Sequence, residues 1–194
     1  IADIKNHDDL RKRVYSRNIS KGDMIKAFTT EIVHFLDIIE YIASHTSNSK
    51  LKTLFSSYMG LLELQESLGK ERALGTSTLA KGSVNLNDRT TLARRQGEQA
   101  AFLRIFQSYA SPSELEEYER VVAQSDFAKP MNEMRAMLSD PLSENEFLIV
   151  YEPSDWFVTW TKQVQQITLV LETIKGDIKS TIEDLESKAS FSLQ

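Results

Sequence analysis

The stretch DWFVTWTKQVQQITLVLETIKGDIKSTIEDL, residues 155–185, decides the fold class. Its apolar residues Phe157, Trp160, Val164, Ile167, Leu171, Ile174, Ile178, Ile182 and Leu185 recur at steps of three and four. That spacing is one buried face of an α-helix, whereas a half-buried strand repeats every two residues. At 1.5 Å per residue a helix of ~35 residues extends ~50 Å. This is longer than a bundle of this size needs, so its end is expected to continue into a partner or a following segment, as a coiled-coil seam does.

Working outward, the same period holds nearly everywhere. Only 7 Gly and 4 Pro among 194 residues leave little turn chemistry for strands. The chain therefore reads as all-α, an antiparallel helical bundle or bundles with a long C-terminal helix. An amphipathic segment covers 2–15. A helix over 22–44 carries Ile25, Phe28, Ile32, Phe35, Leu36, Ile39 and Ile42 on one predicted inward face. Asn48 or Ser49 caps a third helix over 50–79, and a fourth follows the turn near Val84. Pro112 starts a shorter helix reaching 124, and residues 131–138 form another, bounded by Pro130 and Pro141. Ser154 is the expected N-cap of the last helix.

Composition restricts function. The net charge of −5 argues against a nucleic-acid interface, because phosphate binding needs a concentrated positive field. The one basic cluster, Arg11, Lys12, Arg13 and Arg17, reads as a solvated helix face. Cysteine is absent, which excludes disulfides, thiolate metal sites and cysteine nucleophiles. No apolar run approaches the ~20 residues needed to span a bilayer. With Ile1 first, the sequence is expected to be a soluble piece of a longer protein, and any membrane contact to lie in segments outside it. Glu31 and His34 have the Glu-x-x-His spacing of di-iron bundles, but Ile32 is the inward residue there and no second copy exists, so no metal and no other cofactor is expected. No catalytic set or phosphate loop is present, and an enzyme is not expected. Trp156 and Trp160, one turn apart, are assigned to packing.

One stretch breaks the apolar pattern. LGKERALGTSTLAKG, residues 68–82, places three glycines and an arginine where the third helix should still be burying leucine. On a helical wheel at ~100° per residue with Tyr58 inward, Leu62, Gln65, Gly69, Arg72 and Thr76 fall within roughly 40° of that direction, and Lys70 and Glu71 turn outward. Gly69 and Gly75 would clear volume beside Arg72. On the fourth helix, with Phe106 inward, Arg95 and Gln99 fall within roughly 20°. An antiparallel hairpin turning near Val84 brings position 72 opposite 96, so Arg72, Thr76, Arg95, Gln96 and Gln99 are predicted at one level, a hollow suited to a small planar oxyanion. The competing reading makes these arginines ordinary surface groups paired with Glu71 or Glu98.

The segments YMGLLELQESLGKERALGTSTLAKG (58–82) and LARRQGEQAAFLRIFQSYASP (92–112) resemble the nitrate- and nitrite-sensing (NIT) domain family. The likeness rests on Lys70-Glu71-Arg72-Ala73 with Gly75, on Gly82, and on the spacing from Gln99 to Phe106. Weaker similarity extends to AFTTEIVHFLDIIEYIA (27–43), MNEMRAML (131–138) and DWFVTWT (155–161). The resemblance implies a helical input module of bacterial receptors, among them chemotaxis receptors, sensor kinases, cyclic-di-nucleotide enzymes and a cytoplasmic antiterminator. It implies nitrate or nitrite bound by arginines on facing helices, with Arg72 the position that transfers. It also implies a periplasmic position in an inner-membrane receptor. The family's additional Glu-Arg-Gly motif on the first helix has no match here; Arg13 or Arg17 would stand in for it, or it would lie upstream of Ile1.

The resulting expectation is a signal-input domain, paired as a homodimer through helices, in which Arg72, supported by Thr76, Arg95, Gln96, Gln99 and the space at Gly69, binds nitrate or nitrite and passes a conformational change along the last helix. Two alternatives stand beside it. One is the same sensor with an organic-acid or amino-acid ligand. The other is a helical dimerisation module in which Arg72 pairs internally with a carboxylate.

Overall fold

The computed structural model describes residues 2–140 and 151–192, and every regular element among them is helical. Seven α-helices follow in order: α1 Ala2–Tyr15, α2 Lys21–His45, α3 Ser49–Lys81, α4 Leu86–Tyr109, α5 Pro112–Tyr118, α6 Ala128–Ser139 and α7 Pro153–Ser192, with a π-helical turn Glu119–Ala123 after α5. The chain divides into two compact units, residues 1–47 and 48–194.

Local chemistry sets the helix ends. Ser20 caps α2 by accepting from the amide of Asp23, and Asn48 caps α3 by accepting from Leu51. Gly82 ends α3 at φ +69°, a left-handed conformation that lacks a steric penalty only for glycine. Asn85 and Asp88 then form a reciprocal capping box at the start of α4, and Ser111 and Glu114 form another before α5. Two predicted boundaries are corrected. The last helix begins at Pro153, with Glu152 rather than Ser154 supplying the first helical carbonyl and its amide donating to Asp155 Oδ2 at 2.9 Å. Helix α6 starts at Ala128, so Pro130 lies within its first turn, where the missing N–H removes no helical bond; Pro141 lies outside the described residues.

In the first unit α1 packs against α2. Leu10 and Leu36 are buried, but Phe35 and Ile42, predicted inward, are exposed together with Val33, Ile38 and Tyr41. The side chain of Ile25 lies outside the described residues. Arg11, Lys12, Arg13 and Arg17 are solvated as expected.

The second unit is an antiparallel bundle. Helix α3 forms the central rod, with α4 on one side and α7 on the other, while α5, the π-turn and α6 run back along α7. Leu61, Leu64, Leu68, Leu92, Phe106, Val122, Leu138, Trp160, Ile167 and Ile174 fill the middle. Close approach has two causes. A Cβ at Gly60 would lie 2.6 Å from the backbone nitrogen of Phe106, so α3 and α4 touch backbone to backbone there. A Cβ at Gly75 would lie 2.0 Å from the Trp156 ring, which stacks on Trp160 at 3.7 Å between centroids. The tryptophan pair is fully buried, as its assignment to packing requires. On α7 the buried stripe starts at Trp156, not Phe157, which is 46 % exposed, and Ile182 is also largely outside. A straight helix drifts ~20° per heptad against a strict seven-residue repeat, so a stripe drawn at constant spacing leaves the core at both ends.

Because the Trp156 ring is held by its stacked neighbour, Gly75→Ala is expected to destabilise the fold by about 2 kcal/mol or more through overpacking. A Cβ at Gly176 meets nothing within 4 Å, and Gly176→Ala should stabilise α7 by ~0.5–1 kcal/mol. Urea unfolding of the two variants should thus give shifts of opposite sign.

Candidate functional site

The polar stretch of α3 lies in the middle of the bundle, but its phase differs from the prediction. The inward column of α3 is Leu61, Leu64, Leu68, Glu71, Gly75 and Thr78. Glu71, predicted to face outward, is therefore fully buried, and Tyr58 and Leu62 sit at the edge of the buried arc. The wheel was phased on an edge residue because α3 is flanked by two helices and buries a wide arc.

A carboxylate without solvent is strongly unfavourable unless cations and donors surround it. Three other helices supply them. Arg135 on α6 binds Glu71 in a bidentate fork, Nε to Oε1 at 2.8 Å and Nη2 to Oε2 at 2.6 Å. Gln99 on α4 donates from Nε2 to Oε2 at 2.8 Å, and Trp160 on α7 donates from Nε1 to the same oxygen at 2.9 Å. Arg135 Nη2 also donates to Gln99 Oε1 at 2.7 Å, so the amide presents its donor to the carboxylate and its acceptor to the guanidinium. The Arg135 guanidinium lies 5.5 Å from the Trp160 ring centroid. Glu71 and Arg135 cancel each other's charge.

Arg72 follows Glu71 in sequence, points about 100° away from it and lies along the groove where α3 packs on α7. It is half-buried, with Nη1 donating to Thr161 Oγ1 at 2.9 Å and the guanidinium 4.8 Å over the Phe157 ring. Thr161 gives its own proton to the Phe157 carbonyl, so towards Arg72 it is an acceptor only. Among the described residues no carboxylate pairs with Arg72. Its one side-chain hydrogen bond among the described residues is thus to a hydroxyl. Gly69, one turn earlier, leaves open space, and Gln65 closes the far end by donating to Thr168 Oγ1 at 2.8 Å and to the Val164 carbonyl. Thr76 is half-buried beside Arg72 but spends its hydroxyl proton on the Arg72 carbonyl.

The structure thus brings Gly69, Arg72 and Thr76 together and separates them from the α4 residues. Arg95 does not face Arg72. It pairs with Glu98 at 2.6 Å, as the surface reading of these arginines anticipated. Burial tends to raise the Glu98 pKa, but the hydrogen bond and charge of Arg95, with Arg94, outweigh it and leave it lowered. Gln99 belongs to the Glu71 cluster. Gln96 lines a cavity of about 280 Å³ enclosed by residues of α3, α4, α6 and α7, which it shares with Arg135, Asn132 and Tyr118. Burial pushes the Tyr118 hydroxyl up to about 12, so it stays protonated. Arg135, Trp160, Phe157 and Thr161 were not predicted as site residues. Arg135 left one signal: it borders the buried column Met131, Met134 and Leu138. Among the described residues no group of three His, Asp or Glu could hold a metal.

Comparison with known proteins completes the picture. The family described as nitrate and nitrite sensing, NIT, matches residues 2–179. The chain belongs to the NIT family. It is 23 % identical over 176 residues to the nitrate regulatory protein of Klebsiella oxytoca, covering 91 % of this chain and 43 % of that protein. It superimposes on the structure of the NasR transcription antiterminator with a TM-score of 0.78 at 22 % identity, over 97 % of this chain and 50 % of that one. The chain thus spans half or less of the length of these relatives. Both are regulators by name. They overturn the expected periplasmic, receptor-bound position, because antitermination is an event of transcription and neither name denotes a membrane receptor. No helix among the described residues is long and apolar enough to cross a membrane.

The cluster makes a quantitative prediction. Glu71→Gln leaves the Arg135 charge uncompensated and should cost about 3–5 kcal/mol. Adding Arg135→Met should recover part of this loss, giving a coupling energy above ~1 kcal/mol in a double-mutant cycle read by urea unfolding.

Proposed function

We propose that this NIT chain is a signal-input domain that binds nitrate or nitrite in the groove between α3 and α7, with Arg72 as the binding cation. The observation that carries this reading is a half-buried guanidinium bonded to a hydroxyl and an aromatic face, with no carboxylate partner among the described residues. Nitrate and nitrite are small planar anions whose oxygens can accept the parallel N–H bonds of a guanidinium, which are about twice as strong as bonds between neutral groups. The Phe157 ring lines one side of the guanidinium, and the open space at Gly69 leaves room beside it. Gln96, Gln99 and Arg95 belong to the surroundings of the site and not to the anion's contacts. The family membership and the relatives' names favour nitrate or nitrite over an organic acid.

In this reading the anion joins α3 to α7 by bridging Arg72 and the groove's edge, and so favours one of two arrangements of the helices according to its differential affinity for them. Helix α7 is the output. It contains 40 residues and extends about 60 Å, and its last turns run past the buried core as an exposed rod. The domain it would address, and a homodimer through these helices, are part of the same proposal.

Thermal unfolding at constant ionic strength tests the assignment. At one hundred times its dissociation constant, nitrate or nitrite should stabilise the wild type by ~2.7 kcal/mol, with chloride and acetate inert and Arg72→Gln unresponsive. A shift with acetate or other carboxylates in place of nitrate would move the ligand to the organic acids. No shift with any anion would remove the sensor reading.

A further inference from the structure

The cavity lined by Leu64, Gln96 and Arg135 carries chemistry that the anion site does not use. We infer that it is a second ligand site, for a small uncharged carboxamide. Its volume of about 280 Å³ exceeds the ~150 Å³ that accommodates benzene in an engineered apolar cavity, so a ring with a short polar substituent fits. The walls have two characters. Leu64, Leu103 and Ile167 form an apolar side, and Gln96, Asn132 and Arg135 form a polar one.

Charge decides the ligand class. Arg135 is the cavity's cation, and its charge is matched by Glu71, to which Nε and Nη2 are already committed. An anion entering here would lie close to the Glu71 carboxylate, which has no access to water, and would compete with it for the single charge of Arg135. The groups left over are neutral. Gln96 and Asn132 each bring an amide with one acceptor and two donors, and neither is engaged with another described residue. Two such side chains meet the C=O and NH₂ of a primary carboxamide, while a hydrocarbon ring lies against the leucines. Entry lies between α4 and α6, where Ala100 and Asn132 are exposed.

Calorimetric titration with benzamide, and separately with benzoate, distinguishes a neutral from an anionic ligand of the same shape. Benzamide should bind saturably with 1:1 stoichiometry and benzoate at least about tenfold more weakly. Ala100→Phe, which fills the mouth from an exposed position, should abolish binding. Asn132→Leu, also exposed, should weaken it about tenfold by leaving the ligand amide unpaired. Equal binding of benzoate, no saturable heat with benzamide, or unchanged affinity in both variants overturns the inference. It stands apart from the nitrate reading: loss of nitrate binding leaves these outcomes untouched, and loss of benzamide binding leaves the Arg72 site untouched.

Discussion

A carboxylate without access to water, Glu71, organises the second unit. Helices α4, α6 and α7 each send one polar side chain to it, so a single layer ties every wall of the bundle to α3. Apolar packing above and below is tolerant of small shifts; four charge-assisted hydrogen bonds on two oxygens are not. The layer therefore fixes the register of α3 against α7, and the Gly75–Trp156 contact one turn away works only at that register.

The same pair partitions charge between the two faces of α3. Glu71 and Arg135 cancel inside, and Arg72, the next residue, is left positive in the groove outside. Consecutive helical residues point about 100° apart, which allows a neutral interior and a cationic groove to share one turn of helix. On α7 the arrangement repeats: Trp160 serves the inner cluster and its neighbour Thr161 accepts from Arg72. An event at the outer groove thus acts on the two helices that the inner layer holds.

Much of this fold is legible in the sequence because hydrophobic period and end chemistry agree. The three-four spacing on α7 and the cap at Asn48 each point to the observed helices. The interior polar layer is less legible, since Glu71 and Arg135 are separated by 64 positions and only tertiary packing joins them. Counting from Leu61, Leu64 and Leu68 would have placed Glu71 inward, whereas counting from Tyr58 put Arg72 there. That phase difference of one residue exchanged the roles of the two groups. Arg95 misled for another reason: half-buried next to α3, it had Glu98 three residues away on its own helix, and a local partner wins over a distant one. On α2 periodicity marked an apolar face without specifying which of its residues are covered, and Phe35 and Ile42 are exposed.

The central claim is that Arg72, not Arg135, is the cation available to an oxyanion. Side-chain ¹H–¹⁵N NMR of the arginine Nε groups during a nitrate titration tests it most directly. The account predicts a saturable shift of the Arg72 resonance, assigned by its loss in Arg72→Lys, while the Arg135 resonance stays in place. Movement of Arg135 with Arg72 stationary would place nitrate at the inner cluster, and would contradict the account.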